Sequence, residues 1–416
     1  MRISRAAADR RRGRGGAAGL LAVLGLAAVL AAGCTSGPPA ASASGGVTTQ
    51  VGHVAEPSSP ATAEPAVVRL AVAPADKAAD VSPIEPVTVA AAGGTLTTVA
   101  LSNADGRLVQ GKLSPDGQTW SSTAPLGYGK TYMVTATGTA PDGSTATANS
   151  TFTTVKPRTK TYASMNPLDG QVVGVGQPLA IYFDEPIKNK RRAEQSITVR
   201  ATPAVSGAFY WFSDKEVHWR PQRYWTPGTK VVTDIMIYGR DLGNGIYGQE
   251  DRHISFTIGD AVIATADGAM HQMTVEVNGT AVRTVPVSLG KPTNPSADGV
   301  HVVTEKHPKK IMDSSSYGVP VDSPNGYRTE VDWAVRISNS GEFAHSAPWS
   351  VRDQGRRNVS HGCINMSPAN AKWFFDLTKK GDVVVVTNSG GPQLQPYDGF
   401  GDWQIPWSQW LAGGHK

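Results

Sequence analysis

Short β-type segments separated by tight turns cover much of this 416-residue chain and limit the folds that it can adopt. Between residues 66 and 156, Thr and Val recur in alternating runs that are broken by Asn-Ala-Asp-Gly and Pro-Asp-Gly turns. A period of two places every second side chain on the same face of a strand, so that one face can be buried. Many short strands joined by such turns are typical of an antiparallel sandwich. We therefore predict a β-sandwich over 66–156.

The residues that follow, 157–259, repeat the spacing of the first segment. Trp120 is followed nine residues later by Gly129, which opens a strand rich in Thr and Val. Trp219 and Gly228 stand in the same relation in the second segment. Matching internal spacing indicates duplicated domains, so we predict two tandem sandwiches. Neither segment carries a cluster of His, Cys and carboxylate residues, and both are interpreted as spacers or binding modules.

From residue 260 the pattern changes, and we predict a third, β-rich domain over 260–388 with one principal helix. An Asn-Gly pair at 278–279, between two alternating segments, is a strong signal for a β-hairpin. The helix is expected to begin after Ser367, which can cap it, with Pro368 in its first turn. The Trp-rich extension over 389–416 is expected to pack on this third domain.

The N-terminal residues are typical of an export signal. An Arg-rich start precedes an apolar run that is short for a membrane-spanning helix, and small residues then precede Cys34. This pattern is similar to a bacterial lipoprotein cleavage site. We predict a signal peptide over 1–33, lipidation of Cys34, and a flexible, Pro-rich linker over 34–65. The protein would then be anchored at the outer face of the plasma membrane and act in the cell wall; plain secretion and an uncleaved anchor are the alternatives.

The net charge of +5 belongs to the export signal, where six arginines stand against one aspartate. The rest of the chain is neutral overall, and charged residues make up only 18% of the sequence. A neutral chain lacks the positive potential with which proteins attract nucleic acids. We therefore predict no nucleic-acid partner.

The two cysteines, Cys34 and Cys363, have different expected fates. If Cys34 is acylated, Cys363 has no disulfide partner and is either an inert buried residue or a reactive nucleophile. A thiol needs a base to ionise at neutral pH, and His345, from another segment, is a better candidate than the adjacent His361. Gly362 permits a backbone geometry in which successive N–H groups face a developing oxyanion. A zinc site of His345, His361 and Cys363 is an alternative that no metal-binding spacing supports.

These residues form a motif that resembles a known family. After fourteen intervening residues, His345 is followed by the hexapeptide Ser360-His361-Gly362-Cys363-Ile364-Asn365. This arrangement is similar to the signature of YkuD-type L,D-transpeptidases, which cross-link peptidoglycan in bacteria. The resemblance covers about 260–410, and the lipidated cysteine and the tandem sandwiches extend it to the whole chain, as in mycobacterial and related members. It implies a mainly β protein with two immunoglobulin-like domains before a catalytic domain.

The resemblance also implies a role for each matching residue. Cys363 would be the acylated nucleophile and His345 its general base, oriented by the backbone carbonyl of Ser346. The oxyanion hole would be formed by the N–H groups of Tyr327, Gly362 and Cys363. A flap that covers the pocket and contacts substrate would include Met312, Tyr317 and Trp349. Further residues that bind substrate or brace the site would be Ser360, His361 and Asn365.

The implied reaction is a two-step acyl transfer between peptidoglycan stem peptides. The thiolate attacks the carbonyl of the diamino acid at position three, D-Ala leaves, and the side-chain amine of a second stem completes a 3→3 cross-link. No metal or organic cofactor is required, and carbapenem β-lactams are expected inhibitors because the same thiolate can attack their strained carbonyl. The alternatives are an L,D-carboxypeptidase, an enzyme that attaches proteins to the wall, and a non-catalytic wall-binding lipoprotein.

Overall fold

The structure is a computed structural model and describes residues 67–324 and 326–414. The predicted signal peptide (1–33), the lipidation site Cys34 and the linker (34–65) lie outside the described residues. Within the described ranges strands predominate and helices are few and short, so the predicted mainly β fold class is confirmed. No helix in these ranges is both long enough and apolar enough to cross a lipid bilayer.

The first domain is a β-sandwich with one apolar core. Its strands are β1 (Arg69–Ala73), β2 (Thr88–Ala92), β3 (Thr95–Asn103), β4 (Gly111–Leu113), β5 (Thr119–Ser122), β6 (Thr131–Thr139) and β7 (Thr145–Thr153). One sheet has the order β1-β2-β5-β4 and the other the order β3-β6-β7. Alternation along β6 buries Tyr132, Val134 and Ala136, which pack with Trp120 of the facing sheet.

The second domain is also a sandwich, and it contains a short helix. Its elements are β8 (Thr159–Thr161), β9 (Ala163–Asn166), β10 (Val172–Val173), β11 (Leu179–Phe183), α1 (Lys190–Gln195), β12 (Ile197–Thr202), β13 (Gly207–Trp211), β14 (Glu216–Pro221), β15 (Lys230–Ile235), β16 (Ile246–Gly248) and β17 (Arg252–Ile258). The two facing sheets have the orders β10-β17-β15-β12 and β13-β14-β11-β9, and β16 pairs with β8 at one side.

The strand order of the second domain repeats that of the first. The sheet β1-β2-β5-β4 corresponds to β9-β11-β14-β13, and β3-β6-β7 corresponds to β12-β15-β17. Trp120 covers Gly111 on the paired strand, where an added Cβ would collide with the indole ring. Trp219 covers Gly207 in the same way. The repeated tryptophan spacing in the sequence therefore marks a repeated Trp–Gly contact across a hairpin.

The third domain holds two sheets and the longest helix of the described residues. Its elements are β18 (Val262–Asp267), β19 (Gln272–Val277), β20 (Thr280–Pro286), β21 (Gly299–Val302), β22 (Glu305–Asp313), β23 (Arg328–Arg336), β24 (Phe343–Ser346), β25 (Ile364–Met366), α2 (Pro368–Leu377) and β26 (Val383–Thr387). One sheet has the order β20-β19-β18-β26-β21, and the other has the order β22-β23-β24-β25.

Helix α2 supports the second of these sheets from one side. Its cap forms as predicted, because the Ser367 side chain accepts a hydrogen bond from the Asn370 N–H and Pro368 opens the first turn. Ala371 and Phe374 are fully buried and pack with residues of β24 and β25 in one core cluster. This packing fixes the two strands that carry the candidate site.

The C-terminal residues contact two domains rather than one. A 3₁₀ turn (Gly401–Gln404) and the helix α3 (Trp407–Leu411) form their ordered part. Gln404 donates to the Val300 carbonyl of the third domain at 2.7 Å. Trp410, however, is fully buried against the second domain, where its Nε1–H donates to the Ala208 carbonyl at 2.8 Å. The expectation that 389–416 packs on the third domain therefore covers only part of the contact, because the tryptophans bury their rings against the second domain.

Charged side chains reinforce this contact. The Arg220 guanidinium of the second domain lies 4.6 Å from the ring centre of Trp403 and 4.2 Å from that of Trp410. His218 Nδ1 lies 2.8 Å from Asp402 in a buried pair. Burial alone would lower the pKa of His218, but the neighbouring carboxylates raise it to about 9, so this histidine is cationic at neutral pH. The C-terminal segment thus joins the second and third domains by aromatic burial and ion pairing.

We predict that Trp410→Ala destabilises the protein by about 3–5 kcal/mol, because it removes a fully buried indole and leaves a cavity. Differential scanning calorimetry would show the change as a lowered unfolding temperature. Leu411→Ala, on the same helix but 57% exposed, is the matched control and should have little effect. Equal effects of the two substitutions would contradict the assigned packing.

Candidate active site

Two neighbouring parallel strands bring His345 and Cys363 together. His345 lies in β24, and the register of β24 with β25 places it opposite Asn365. Cys363 immediately precedes β25, which begins at Ile364. Both side chains line the same cleft, so the pairing expected from the sequence is geometrically available.

The His345 imidazole is buried and held in one orientation. Its Nδ1 lies 2.8 Å from the Ser346 carbonyl oxygen, which can only accept a hydrogen bond. The proton therefore resides on Nδ1, and Nε2 keeps its lone pair. Burial lowers the pKa of His345 to about 4, although the bond to Ser346 opposes that shift. The ring is thus a neutral base at physiological pH, and Ser346 contributes its backbone carbonyl as the resemblance implied.

The Cys363 thiol is also buried and neutral. Its Sγ lies 3.8 Å from the carbonyl oxygen of Gly341, to which it can donate weakly. Burial raises the pKa of the thiol to about 12, and a negative charge on Glu342 would raise it further. A hydrogen bond from the Phe343 backbone acts in the opposite direction. Burial therefore favours thiol and imidazole over thiolate and imidazolium.

The loop that carries the nucleophile is stabilised by the hydroxyl of Ser360. This hydroxyl donates to the Cys363 carbonyl at 2.6 Å and accepts the Gly362 N–H at 3.1 Å. Gly362 has a φ of +120°, a conformation that residues with a side chain rarely adopt. Ser360 lines the cleft, but its hydroxyl is used within the loop. The Ser360 hydroxyl thus has a structural role in the loop, and the substrate contact predicted for this residue stays a prediction.

The oxyanion hole expected at Tyr327, Gly362 and Cys363 stays a prediction, and the structure shows the hydrogen-bond partners of two of these N–H groups. The Tyr327 N–H donates to the Ser314 hydroxyl at 2.9 Å, and the Gly362 N–H donates to the Ser360 hydroxyl. Two of the three predicted donors thus have partners inside the protein. In each case the partner is the hydroxyl of a serine that precedes the donor in the chain. An oxyanion would have to share or displace these two hydrogen bonds. The third predicted donor, the Cys363 N–H, belongs to the nucleophilic residue itself.

The cleft around Cys363 has a volume of about 340 Å³. Its lining residues include most of the predicted ones, namely Met312, Tyr327, His345, Trp349, Ser360, His361, Cys363 and Asn365. Sequence analysis missed Thr329, Val331, Ser350, Asp353 and Val359. Thr329 and Val331 have no distinguishing signal, since they occupy ordinary positions of a strand. Asp353 could have been noticed, because it stands four residues before Arg357, with which it pairs at 2.6 Å.

The residues assigned to one flap lie on different segments. Met312, at the end of β22, belongs to the buried cluster around Cys363. Trp349 lies in a 3₁₀ turn after β24, where it is 54% exposed and its ring centre is 6.1 Å from that of His345. Met312 and Trp349 therefore line the cleft from two separate segments of the chain, and the flap stays a prediction. The side chain of Tyr317 lies outside what the structure describes.

His361 and Asn365 are held by neighbours. Lys291 Nζ lies 3.0 Å from His361 Nε2, which must therefore accept, and burial together with this cation lowers the pKa of His361. Zinc at that nitrogen would have to displace the ammonium group, which argues against the zinc alternative. Asn365 donates to the Ser350 hydroxyl at 3.1 Å and is 3% exposed. Asn365 therefore lines the cleft while its amide braces Ser350.

Two family models match the chain. The first, described as a bacterial Ig domain, matches residues 78–241 and spans parts of both sandwiches. The second, described as an L,D-transpeptidase catalytic domain, matches residues 261–386. The chain is 50% identical to L,D-transpeptidase 2 of Mycobacterium tuberculosis (strain CDC 1551 / Oshkosh), across 84% of this chain and 86% of that protein. It is 37% identical to L,D-transpeptidase 5 of Mycobacterium tuberculosis (strain H37Rv), across 84% of this chain and 77% of that protein.

Solved structures with partial similarity include two with bound β-lactam compounds. One is L,D-transpeptidase 3 from Mycobacterium tuberculosis in complex with a faropenem-derived adduct, at 36% identity and a TM-score of 0.46. Another is an LD transpeptidase in complex with imipenem, at 39% identity and a TM-score of 0.48. Each match covers 54% of this chain and 97% of the solved chain.

We predict that iodoacetamide alkylates Cys363 slowly at neutral pH. In a Cys34→Ser background, where Cys363 is the only thiol, the rate should rise about tenfold per pH unit between pH 6 and 9, because only the thiolate reacts and its fraction grows by that factor below the pKa. Mass spectrometry of quenched samples measures the rate. A plateau below pH 9 would indicate a stable thiolate and contradict the neutral pair.

Proposed function

The chain belongs to the L,D-transpeptidase family and is an L,D-transpeptidase, and we propose that it joins peptidoglycan stem peptides in 3→3 cross-links through a thioester on Cys363. One observation carries this proposal. The imidazole of His345, oriented by the Ser346 carbonyl, has an unprotonated Nε2 and lines the same cleft as the Cys363 thiol. This is the arrangement that a nucleophilic cysteine requires of its base.

The first step forms the acyl-enzyme. Cys363 Sγ attacks the carbonyl carbon of the diamino acid at position three of the donor stem, while the thiol proton passes to His345 Nε2. The C–S bond forms, the amide bond to D-Ala breaks, and the imidazolium returns its proton to the departing D-Ala amine. A thioester then links the donor stem to Cys363.

The second step transfers the acyl group to an acceptor. The side-chain amine of a second stem attacks the thioester carbonyl and loses a proton to His345 Nε2. The new amide bond forms, the C–S bond breaks, and the proton returns to the sulfur. Water in place of the amine would give a carboxypeptidase product. The same base serves both steps because its Nδ1–H stays bound to the Ser346 carbonyl throughout.

Proton transfer accompanies the attack rather than preceding it. Burial raises the pKa of Cys363 and lowers that of His345, so the neutral forms of both groups are favoured before a substrate binds. The tetrahedral oxyanion compensates for this once it is stabilised by backbone donors. The thiol would therefore be inert until a bound carbonyl lies within reach. This behaviour protects a lone thiol outside the cell from oxidation, which also requires the thiolate.

Carbapenem inhibition follows from the same chemistry. The thiol attacks the strained β-lactam carbonyl, the C–N bond of the ring breaks, and the ring nitrogen takes the proton. The cleft of about 340 Å³ is large enough to hold such a bicyclic compound. We therefore propose carbapenems as covalent ligands of Cys363.

We predict that Cys363→Ala and His345→Ala each abolish cross-linking, because one lacks the nucleophile and the other its base. The purified variants would be incubated with disaccharide-tetrapeptide, and the products would be analysed by mass spectrometry. Calorimetry should show that both variants remain folded. An active Cys363→Ala enzyme would refute the mechanism.

The same analysis separates the alternative reactions of the wild-type enzyme. A dimer that has lost one D-Ala identifies the transpeptidase, and a tripeptide monomer identifies the carboxypeptidase. An unchanged tetrapeptide, together with no carbapenem adduct at Cys363, would instead favour a wall-binding lipoprotein.

We also propose that a lipid on Cys34 anchors the protein to the outer face of the plasma membrane. The proposal is supported by the sequence pattern before Cys34 and by the Pro-rich linker that follows it. Cys34→Ser should move the protein from the membrane fraction to the culture supernatant, as judged by immunoblotting. If the variant stays with the membrane, an uncleaved N-terminal segment holds it there and the lipid proposal fails.

A further inference from the structure

The buried residue Ser296 is hydrogen-bonded to the loop that carries the nucleophile. The Ser296 hydroxyl donates to the Gly362 carbonyl at 2.6 Å and accepts the Gly290 N–H at 3.1 Å. Ser296 is only 1% exposed, so water does not compete for these bonds. Its single hydroxyl proton is committed to the Gly362 carbonyl.

That hydrogen bond also fixes the N–H of Cys363. The Gly362 carbonyl and the Cys363 N–H belong to one planar peptide unit and point in opposite directions. Holding the carbonyl toward the core therefore holds the N–H away from the core. Because the Tyr327 and Gly362 N–H groups already have hydroxyl partners, the orientation of the Cys363 N–H matters most for the oxyanion.

The side chain of Glu342 fills the space behind the same peptide. The β24–β25 register, continued by two residues, places Glu342 opposite Gly362. The Glu342 Oε1 atom would lie 3.6 Å from a Cβ at Gly362 and accepts the Ala297 N–H at 2.7 Å. Its Oε2 is buried and has no hydrogen-bond partner among the described residues. Ser296 thus holds the Gly362 carbonyl, and Glu342 occupies the space next to Gly362. We call these two contacts the brace.

The Glu342 carboxyl is neutral at physiological pH. Burial raises its pKa to about 8, the Ala297 N–H opposes that rise, and the carboxylates of Asp298 and Asp398 add to it. The His301 ring on β21 lies 3.7 Å away and is itself kept neutral by burial. On the side of the nucleophile, Arg336 of β23 acts electrostatically on Cys363. Ionisation of Glu342 would place a negative charge directly behind the peptide that faces the oxyanion.

We propose that Ser296 and Glu342 are positioning residues that orient the Cys363 N–H as an oxyanion donor and keep the space behind it uncharged. Because it assumes that Cys363 is acylated, this role rests on the proposed function. Neither residue contacts the substrate; both act through the Gly362–Cys363 peptide.

Ser296→Ala tests the orientation of the donor. Acylation by imipenem forms a C–S bond while the β-lactam C–N bond breaks, so it needs the oxyanion donor, whereas alkylation by iodoacetamide needs only the thiolate. In a Cys34→Ser background, the variant should be acylated at least about tenfold more slowly and alkylated at the wild-type rate. Acylation of the variant at the wild-type rate, or an equal loss of rate in both reactions, would overturn the proposal.

Two controls keep the outcomes distinct. Ser367→Ala removes a hydroxyl that caps α2, so it should lower the unfolding temperature and leave both rates unchanged. If Ser296→Ala merely destabilised the domain, the two variants would behave alike, which would also overturn the proposal. If the wild-type protein itself forms no adduct with imipenem, the proposed function fails rather than the brace.

Glu342→Gln tests the charge, since the amide keeps the shape and cannot ionise. Wild-type acylation by imipenem should slow above about pH 8, where Glu342 becomes negative, while acylation of the variant should stay level, because His345 remains a neutral base throughout this range. Identical pH profiles would overturn the role of Glu342. This comparison does not depend on Ser296→Ala and decides the matter even if that variant fails to fold.

Discussion

The hydrogen bond from His345 Nδ1–H to the Ser346 carbonyl is the interaction on which the chemistry of this enzyme depends. It fixes both the orientation of the ring and the nitrogen that keeps a lone pair. Burial then favours the neutral ring, so that Nε2 can accept a proton. A neutral base beside a neutral thiol does not generate a reactive thiolate before a substrate binds. The reaction begins only when a substrate carbonyl supplies an oxyanion for the site to stabilise.

The rest of the fold maintains this geometry from several directions. Helix α2 packs against β24 and β25, which carry the base and follow the nucleophile. The hydroxyls of Ser360 and Ser296 hold the two faces of the nucleophile loop. Farther away, the C-terminal segment joins the catalytic domain to the second sandwich through Trp410 and the His218–Asp402 pair. The domain that performs the chemistry is therefore connected to the second sandwich by packed side chains and not by a loose linker.

Much of the fold could be predicted because its signals are local. Alternation gave the strands, the Ser367-Pro368 pair gave the start of α2, and the spacing around Trp120 and Trp219 gave the repeat. The catalytic pair was accessible because the hexapeptide around Cys363 is a contiguous motif. Contacts between residues far apart in the chain are not marked by any local sequence pattern. The burial of Trp410 against the second domain depends on where the chain turns after its last strand, and the hydroxyl partners of the Tyr327 and Gly362 N–H groups depend on loops whose conformation no periodicity encodes. Glu342 stands three residues before His345 without any pattern that marks it.

The most direct test of the neutral pair is the protonation state of His345 itself. Nitrogen-15 NMR of the imidazole in the substrate-free enzyme distinguishes the two neutral tautomers from the imidazolium ion. The account predicts one neutral form, with the proton on Nδ1, from about pH 5 upward, because the pKa of His345 is about 4. An imidazolium signal at pH 7 that disappears in Cys363→Ala would reveal a preformed thiolate–imidazolium pair and contradict the account.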